Sequence, residues 1–168
     1  NIDDVDKFIN YDGIILSGGG DLSTNPFISS SIDIDIEREK IEKKLIAESI
    51  KHDIPLIGIC RGYQSLVNNI NGNNKIKFEK SNISILEKYE TYFENEKKLK
   101  ITCYNKYEFS NVDLENTWNV FSRSKNGFYS SMVHKQFRII GCIWHPEREK
   151  LKNDLVWEKF LKWIKEPR

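Results

Sequence analysis

The stretch PLIGICRGYQ, Pro55 to Gln64, changes character at Cys60. Ahead of the cysteine, Leu56, Ile57 and Ile59 surround Gly58 in a short apolar run bounded by Pro55, the pattern of a strand buried on both faces. Beyond it, RGYQSLVNNI from Arg61 to Ile70 reads as a helix, and Asn71-Gly72 stops it. Upstream, Asp33 to His52 has amphipathic helical spacing, with Ile41, Leu45, Ile46 and Ile50 among lysines and glutamates. Before that, YDGIIL at Tyr11 to Leu16 reads as a strand running into SGGGD at Ser17 to Asp21, and Leu22 to Ser31 as loop. Strand, helix, strand, helix predicts an α/β fold with a mostly parallel central sheet covered on both faces. Sites in such sheets lie at the carboxyl ends of strands.

Farther along, strands are expected at Lys75 to Phe78 and Leu99 to Tyr104, while Ser81 to Lys98 is charged and undecided. Thr117 to Arg123 and Gly127 to Val133 read as a hairpin turning at Lys125-Asn126-Gly127. RIIGCIW, Arg138 to Trp144, is a further strand ending just before His145. Asp154 to Lys165 closes as an amphipathic helix with Leu155, Phe160, Leu161 and Ile164 turned inward. The glycine turn, Cys60 and His145 each follow a predicted strand directly, so they are expected to converge on one edge of the sheet.

A length of 168 residues suits one domain with a sizeable core. With 26 Lys plus Arg against 25 Asp plus Glu, the formal charge is +1, which argues against nucleic-acid binding through bulk charge. No apolar run approaches the roughly 18 residues of a membrane span. No targeting segment is read, and a cytoplasmic location is expected. The 3 cysteines fit neither a disulfide framework nor a CxxC pair. No metal and no cofactor are expected, because no cluster of ligands shows metal spacing.

Cys60 stands between a strand and a helix, with Gly58 and Gly62 beside it, as a nucleophile does on a tight elbow. The helix N-terminus offers free N–H groups and partial positive charge, both favouring a thiolate. A buried structural cysteine is the alternative, and it is the preferred reading for Cys103 and Cys142, which lie inside strand patterns. A thiol nucleophile needs a proton carrier. His52 ends a helix and His134 sits beside Lys135, so both are expected at the surface. His145 ends a strand on the expected edge. Glu147, two residues on, would share its side in an extended segment and orient the imidazole, although a Glu near a His is ordinary by spacing alone. Gly18-Gly19-Gly20 lacks both the GxGxxG and the GK[ST] patterns. As an oxyanion hole it makes physical sense, with the N–H groups of Gly19 and Arg61 as donors.

SGGGD, PLIGICRGYQ and WHPERE at Trp144 to Glu149 together resemble the signature blocks of class I glutamine amidotransferase-like proteins, in the gamma-glutamyl hydrolase (peptidase C26) branch. The resemblance implies a flavodoxin-like three-layer sandwich and a single domain over residues 1–168, one that lacks the family's N-terminal strand region. It implies a Cys60–His145–Glu147 triad that cleaves a gamma-glutamyl amide through a glutamyl thioester and releases glutamate. Gly19 and Arg61 would supply the oxyanion donors, and Gln64 and Gly18 would meet the substrate. Lys125 to Glu149 further resembles proteins that hydrolyse gamma-glutamyl-CDP-amidate in capsule phosphoramidate synthesis, with Lys135 and Arg148 as either diphosphate contacts or solvated surface charges. Where the branch commonly carries a His in a middle segment, TCYNKYE at Thr102 to Glu108 has Asn105. The expected partner is a small gamma-glutamyl substrate, with no nucleic acid or membrane. The alternatives are a glutaminase subunit feeding ammonia to a partner synthase and a non-enzymatic binding relative.

Overall fold

The structure is a computed structural model that describes residues 10–27, 34–72, 76–95, 97–110, 112–149 and 154–167. Strand β1 (Ile14–Leu16) leads through the glycine turn to helix α1 (Ile36–His52), then β2 (Leu56–Ile59) and α2 (Arg61–Asn71). Strands β3 (Phe78–Lys80), β4 (Lys88–Phe93), β5 (Lys98–Thr102) and β6 (Tyr107–Phe109) follow. A 3-10 turn (Val112–Asn116) leads into β7 (Trp118–Ser124), β8 (Tyr129–His134), β9 (Ile139–Cys142) and the final helix α3 (Leu155–Lys165).

Among the described residues, seven strands form one sheet in the order β1-β2-β9-β8-β7-β4-β5, and β3 pairs separately with β6. The α/β class is as expected, but the parallel part is confined to β1, β2 and β9. All other pairings among the described residues are antiparallel. The cause is connection length. Helices α1 and α2 follow the first two strands, whereas β4–β5, β7–β8 and β8–β9 are joined by short loops that permit only reversal. Gly127 takes φ 85° in the β7–β8 turn, which a residue with a Cβ adopts only under strain.

The parallel strands carry the core. Leu56, Ile57, Ile139 and Ile140 are fully buried, each contributing roughly 1.5–3 kcal/mol. Gly58 and Gly141 are register partners on one face. A Cβ on Gly141 would run into the Tyr63 ring, and one on Gly58 would meet Leu66 Cδ1 at 2.5 Å, so α2 packs on this face. On the other face, a Cβ on Gly13 would meet Phe160 and Ile164 of α3 at 3.1 Å. Helix, sheet and helix therefore form three layers. Asp35 caps α1 by accepting from Arg38 N, and Asp154 caps α3 by accepting from Val156 N and Trp157 N.

The inner face of α3 differs in part from the sequence reading. Val156 and Phe160 are its buried residues, while Leu161 is 38% exposed. The third predicted strand begins at Phe78, and Lys75 lies outside the described residues. The undecided stretch Ser81 to Lys98 contains β4, whose Lys88, Tyr89 and Glu90 are not fully buried while Thr91 and Phe93 are.

Candidate active site

Strands β2 and β9 are parallel neighbours with Ile59 opposite Cys142. Cys60 is the next residue after β2, and His145 follows Cys142 by three. Both therefore leave the sheet at the same rim, beside the glycine turn that follows β1. Cys60 takes φ 52° and ψ −110°, an uncommon conformation for a residue with a Cβ. Its neighbours impose it. The Cys60 N–H donates to Cys142 O at 2.8 Å, while its carbonyl already accepts from Tyr63 N and Gln64 N in the first turn of α2. Gly62 lets that turn press against Leu16 O, an approach any Cβ would block.

The thiolate preference expected from the helix terminus is not what the environment favours. Burial pushes the Cys60 thiol up to about 11, although the Arg61 backbone N–H beside it and the Arg148 charge pull the other way. The resting group at neutral pH is a thiol, and deprotonation needs a base at the moment of reaction.

His145 is buried, and its Nδ1 is 2.5 Å from Glu147 Oε1. A carboxylate there can accept a hydrogen bond from Nδ1–H, the tautomer that leaves Nε2 with its lone pair. Among the described residues, this ring is hydrogen-bonded to Glu147 and not to the thiol. The ring lies over Gly18, where a Cβ would sit 2.5 Å from His145 Cε1. Tyr104 meets it edge-on at 5.1 Å between centroids, and the Arg148 guanidinium lies 5.0 Å over the Tyr104 ring. The loop is tied down from both ends. Glu149 Oε1 accepts from Thr102 N at 2.5 Å, and Trp144 Nε1 donates to Asp154 at 2.8 Å.

A recess of about 210 Å³ is lined by Gly19, Gly20, Asp21, Cys60, Arg61, Gln64, Tyr104, Asn105, Lys106 and Tyr107. It unites Cys60, Gly19, Arg61 and Gln64 from the sequence reading. Gln64 donates from Nε2 to Tyr107 O at 3.3 Å. Gly18, His145 and Glu147 stand beside the recess without lining it.

Sequence reasoning missed what holds these pieces. Glu42 of α1 is buried and accepts from Arg61 Nη1 at 2.6 Å, Arg38 Nε at 2.8 Å and Ser65 Oγ at 2.7 Å. Arg38 also grips the glycine turn, donating to Ser17 O at 2.6 Å and Gly18 O at 3.1 Å. Glu39 takes both Ser23 N and Ser23 Oγ. The only advance signal was the i,i+4 spacing of Arg38 and Glu42, which is indistinguishable from a surface pair.

Two expectations are corrected. His134 is buried, not at the surface. Its Nδ1 accepts from Gln136 N and Phe137 N, and its ring packs against Trp118 and Phe137. Lys135 lies far from Cys60, because β8 runs antiparallel to β9 and ends at the opposite rim. His52 sits on the last turn of α1, 3.1 Å from Glu48. Cys103 and Cys142 are buried and free. Among the described residues, no cluster of three His, Cys, Asp or Glu could hold a metal ion. None of their helices is long and apolar enough to cross a membrane.

The sequence profile of glutamine amidotransferase class-I matches residues 1–162. The chain belongs to this family. It is 32% identical over 158 residues to a gamma-glutamyl-CDP-amidate hydrolase of Campylobacter jejuni, covering 91% of this chain and 71% of that one. It is 26% identical to a glutamine-hydrolyzing GMP synthase subunit of Pyrococcus abyssi, covering 84% and 69% of the two chains. Among solved structures, a protein assigned as a GMP synthase subunit from Thermoplasma acidophilum superposes with a TM-score of 0.72 at 16% identity, covering 96% and 76% of the two chains. At that identity the superposition speaks for the fold of the family.

Proposed function

We propose that this amidotransferase-family chain is a cysteine-dependent hydrolase of gamma-glutamyl amides in small molecules. The observation that carries the reading is the meeting of Cys60, the Gly19 loop and the Arg61 N–H in one recess, at the rim where the His145–Glu147 pair leaves the neighbouring strand.

The chemistry follows from these groups. As substrate closes the gap, His145 Nε2 takes the Cys60 proton and the sulfur adds to the gamma-carbonyl carbon. The oxyanion receives hydrogen bonds from Gly19 N–H and Arg61 N–H, each donor of this kind being worth roughly 3 kcal/mol in the transition state. The tetrahedral adduct collapses, the C–N bond breaks, and the imidazolium returns the proton to the departing nitrogen. His145 then takes a proton from water, whose oxygen adds to the thioester. Glutamate leaves and the thiol is restored. Glu147 holds the Nδ1 proton throughout. Gln64 and the backbone at Gly18 contact the glutamyl group.

The preferred substrate is gamma-glutamyl-CDP-amidate, the compound named for the Campylobacter jejuni relative, with the place in capsule phosphoramidate synthesis that the resemblance implies. A glutaminase feeding a synthase is the second reading, favoured by the GMP synthase relatives. Glutamate release decides between them. Purified chain is expected to release glutamate from gamma-glutamyl-CDP-amidate at least a hundredfold faster than from glutamine, and Cys60→Ala to abolish release. Full activity in Cys60→Ala overturns the mechanism. Release from glutamine alone, rising with an added synthase, transfers the chain to the second reading.

A further inference from the structure

The recess beside Cys60 shares one wall with a second recess. Asn105, Lys106 and Tyr107 line both. The second, of about 350 Å³, is completed by Lys80, Ser81, Ile83, Ser84 and Ile85. Its chemistry differs from that of the first. Lys80 and Lys106 are both exposed, and among the described residues neither is paired with a carboxylate. Next to them the rings of Phe27 and Tyr107 lie parallel, 5.5 Å apart with 5° between planes, and the Lys80 ammonium is 5.9 Å from the Phe27 centroid. Phe27 is 43% and Ile85 49% exposed, so apolar faces of these residues remain open.

Two exposed ammonium groups that no described carboxylate pairs, beside a flat aromatic pair and an open aliphatic face, suit a ligand that is anionic at one end and planar at the other. Ammonia, the leaving group from glutamine, engages none of these. We propose that the second recess is the leaving-group subsite and that it takes a nucleoside diphosphate. Lys106, on the shared wall, meets the phosphate nearer the scissile nitrogen. Lys80 meets the farther one, and the base lies against the Phe27–Tyr107 pair. The first recess, with Asp21 on its wall, is left for the zwitterionic glutamyl end. The assignment rests on the hydrolase reading above and adds to it the residues that select the leaving group.

The test uses CDP as probe, with cytidine and inorganic pyrophosphate as controls, in titration calorimetry on the whole chain. CDP is expected to bind at least tenfold tighter than either control. Lys106→Ala and Lys80→Ala are each expected to weaken CDP binding about tenfold, and Lys106→Arg to recover most of the loss. Lys125→Ala, on the distant β7–β8 turn, leaves CDP affinity unchanged. The specificity ratio of gamma-glutamyl-CDP-amidate over glutamine should fall with the CDP affinity. CDP binding no tighter than cytidine, or indifferent to both lysines, overturns the subsite. Labelling of Cys60 by an electrophilic glutamine analogue reports separately on the hydrolase reading. Labelling without lysine-dependent CDP binding removes the subsite alone, and no labelling removes both.

Discussion

The two walls facing across the Cys60 recess are built on opposite principles. The wall made by α1, the glycine turn and the start of α2 is a buried polar lattice. Glu42 accepts from Arg38, Arg61 and Ser65 at 2.6–2.8 Å, and Arg38 reaches on to two carbonyls of the turn. The wall made by Asn105 to Tyr107 and the β3–β6 pair is a two-stranded ribbon with exposed lysines and a half-open aromatic stack. Reaction geometry tolerates little displacement, and the groups proposed to bind the oxyanion sit on the locked wall. Selection of the leaving group tolerates variation and belongs on the open one.

Glu42 tests this division most severely. Glu42→Ala leaves the Arg61 guanidinium, only 3% exposed, without its close carboxylate, since Glu39 is 3.9 Å from it. Loss of one partner from a buried pair costs roughly 3–5 kcal/mol. Urea unfolding is expected to show a loss of that size. Glu42→Gln, which keeps the shape, should lie between the variant and the parent. Lys106→Ala on the open wall should stay within about 0.5 kcal/mol of the parent. Equal costs in the two walls would erase the distinction.

Beside the recess, the histidine and its carboxylate are unequal. His145 is buried, while the Glu147 side chain is 46% exposed. His145→Asn removes the proposed base and is expected to lower kcat about 10²–10⁴-fold. Glu147→Gln removes an orienting acceptor that water can partly replace, so we expect a loss of about tenfold in kcat with KM little changed. A Glu147→Gln loss as deep as that of His145→Asn would mean that the carboxylate is shielded when substrate is bound.

The sequence was most legible where one local pattern carries one structural demand. An apolar run ending in Cys60 between two close-packed glycines specifies a strand, an elbow and a helix, and RIIGCIW before His145 specifies a second strand end. Parallel pairing of β2 with β9 then follows from the fold class. The lattice was not legible, because its members are far apart in sequence. Nothing in REKIE tells that Glu42 points inward until Arg61 is seen across from it. The antiparallel half was legible only in part. In KYETYF the charged and aromatic residues alternate without a clean apolar face, since β4 packs one side against Trp144 through Phe93 and leaves Tyr92 41% exposed. Lys135 was a candidate diphosphate contact by resemblance alone, and the direction of β8, which its pairing with β9 fixes, carries it away from Cys60.

The mildest test concerns the proton on Cys60. Burial removes water from the sulfur and holds its proton up to about 11, with the Arg61 N–H and Arg148 opposing and Glu147 and Cys103 reinforcing the burial. An exposed thiol ionises near about 8.5. Alkylation of Cys60 by iodoacetamide is therefore expected to keep rising through pH 9 and 10, where a model thiol has levelled. Stability carries the same sign. Below the unfolded value both states hold the proton and the contribution is complete. As pH rises toward 11 the unfolded chain releases its proton while the folded one keeps it, so the unfolded state gains and stability falls. Cys60→Ser should flatten that fall in urea unfolding between pH 8 and 10. Loosening the wall with Glu42→Gln admits water, and it should move the alkylation profile toward that of the model thiol. A profile unmoved by Glu42→Gln would assign the burial of the sulfur to the strands and Tyr104 alone, leaving α1 to hold the oxyanion donors without governing the nucleophile.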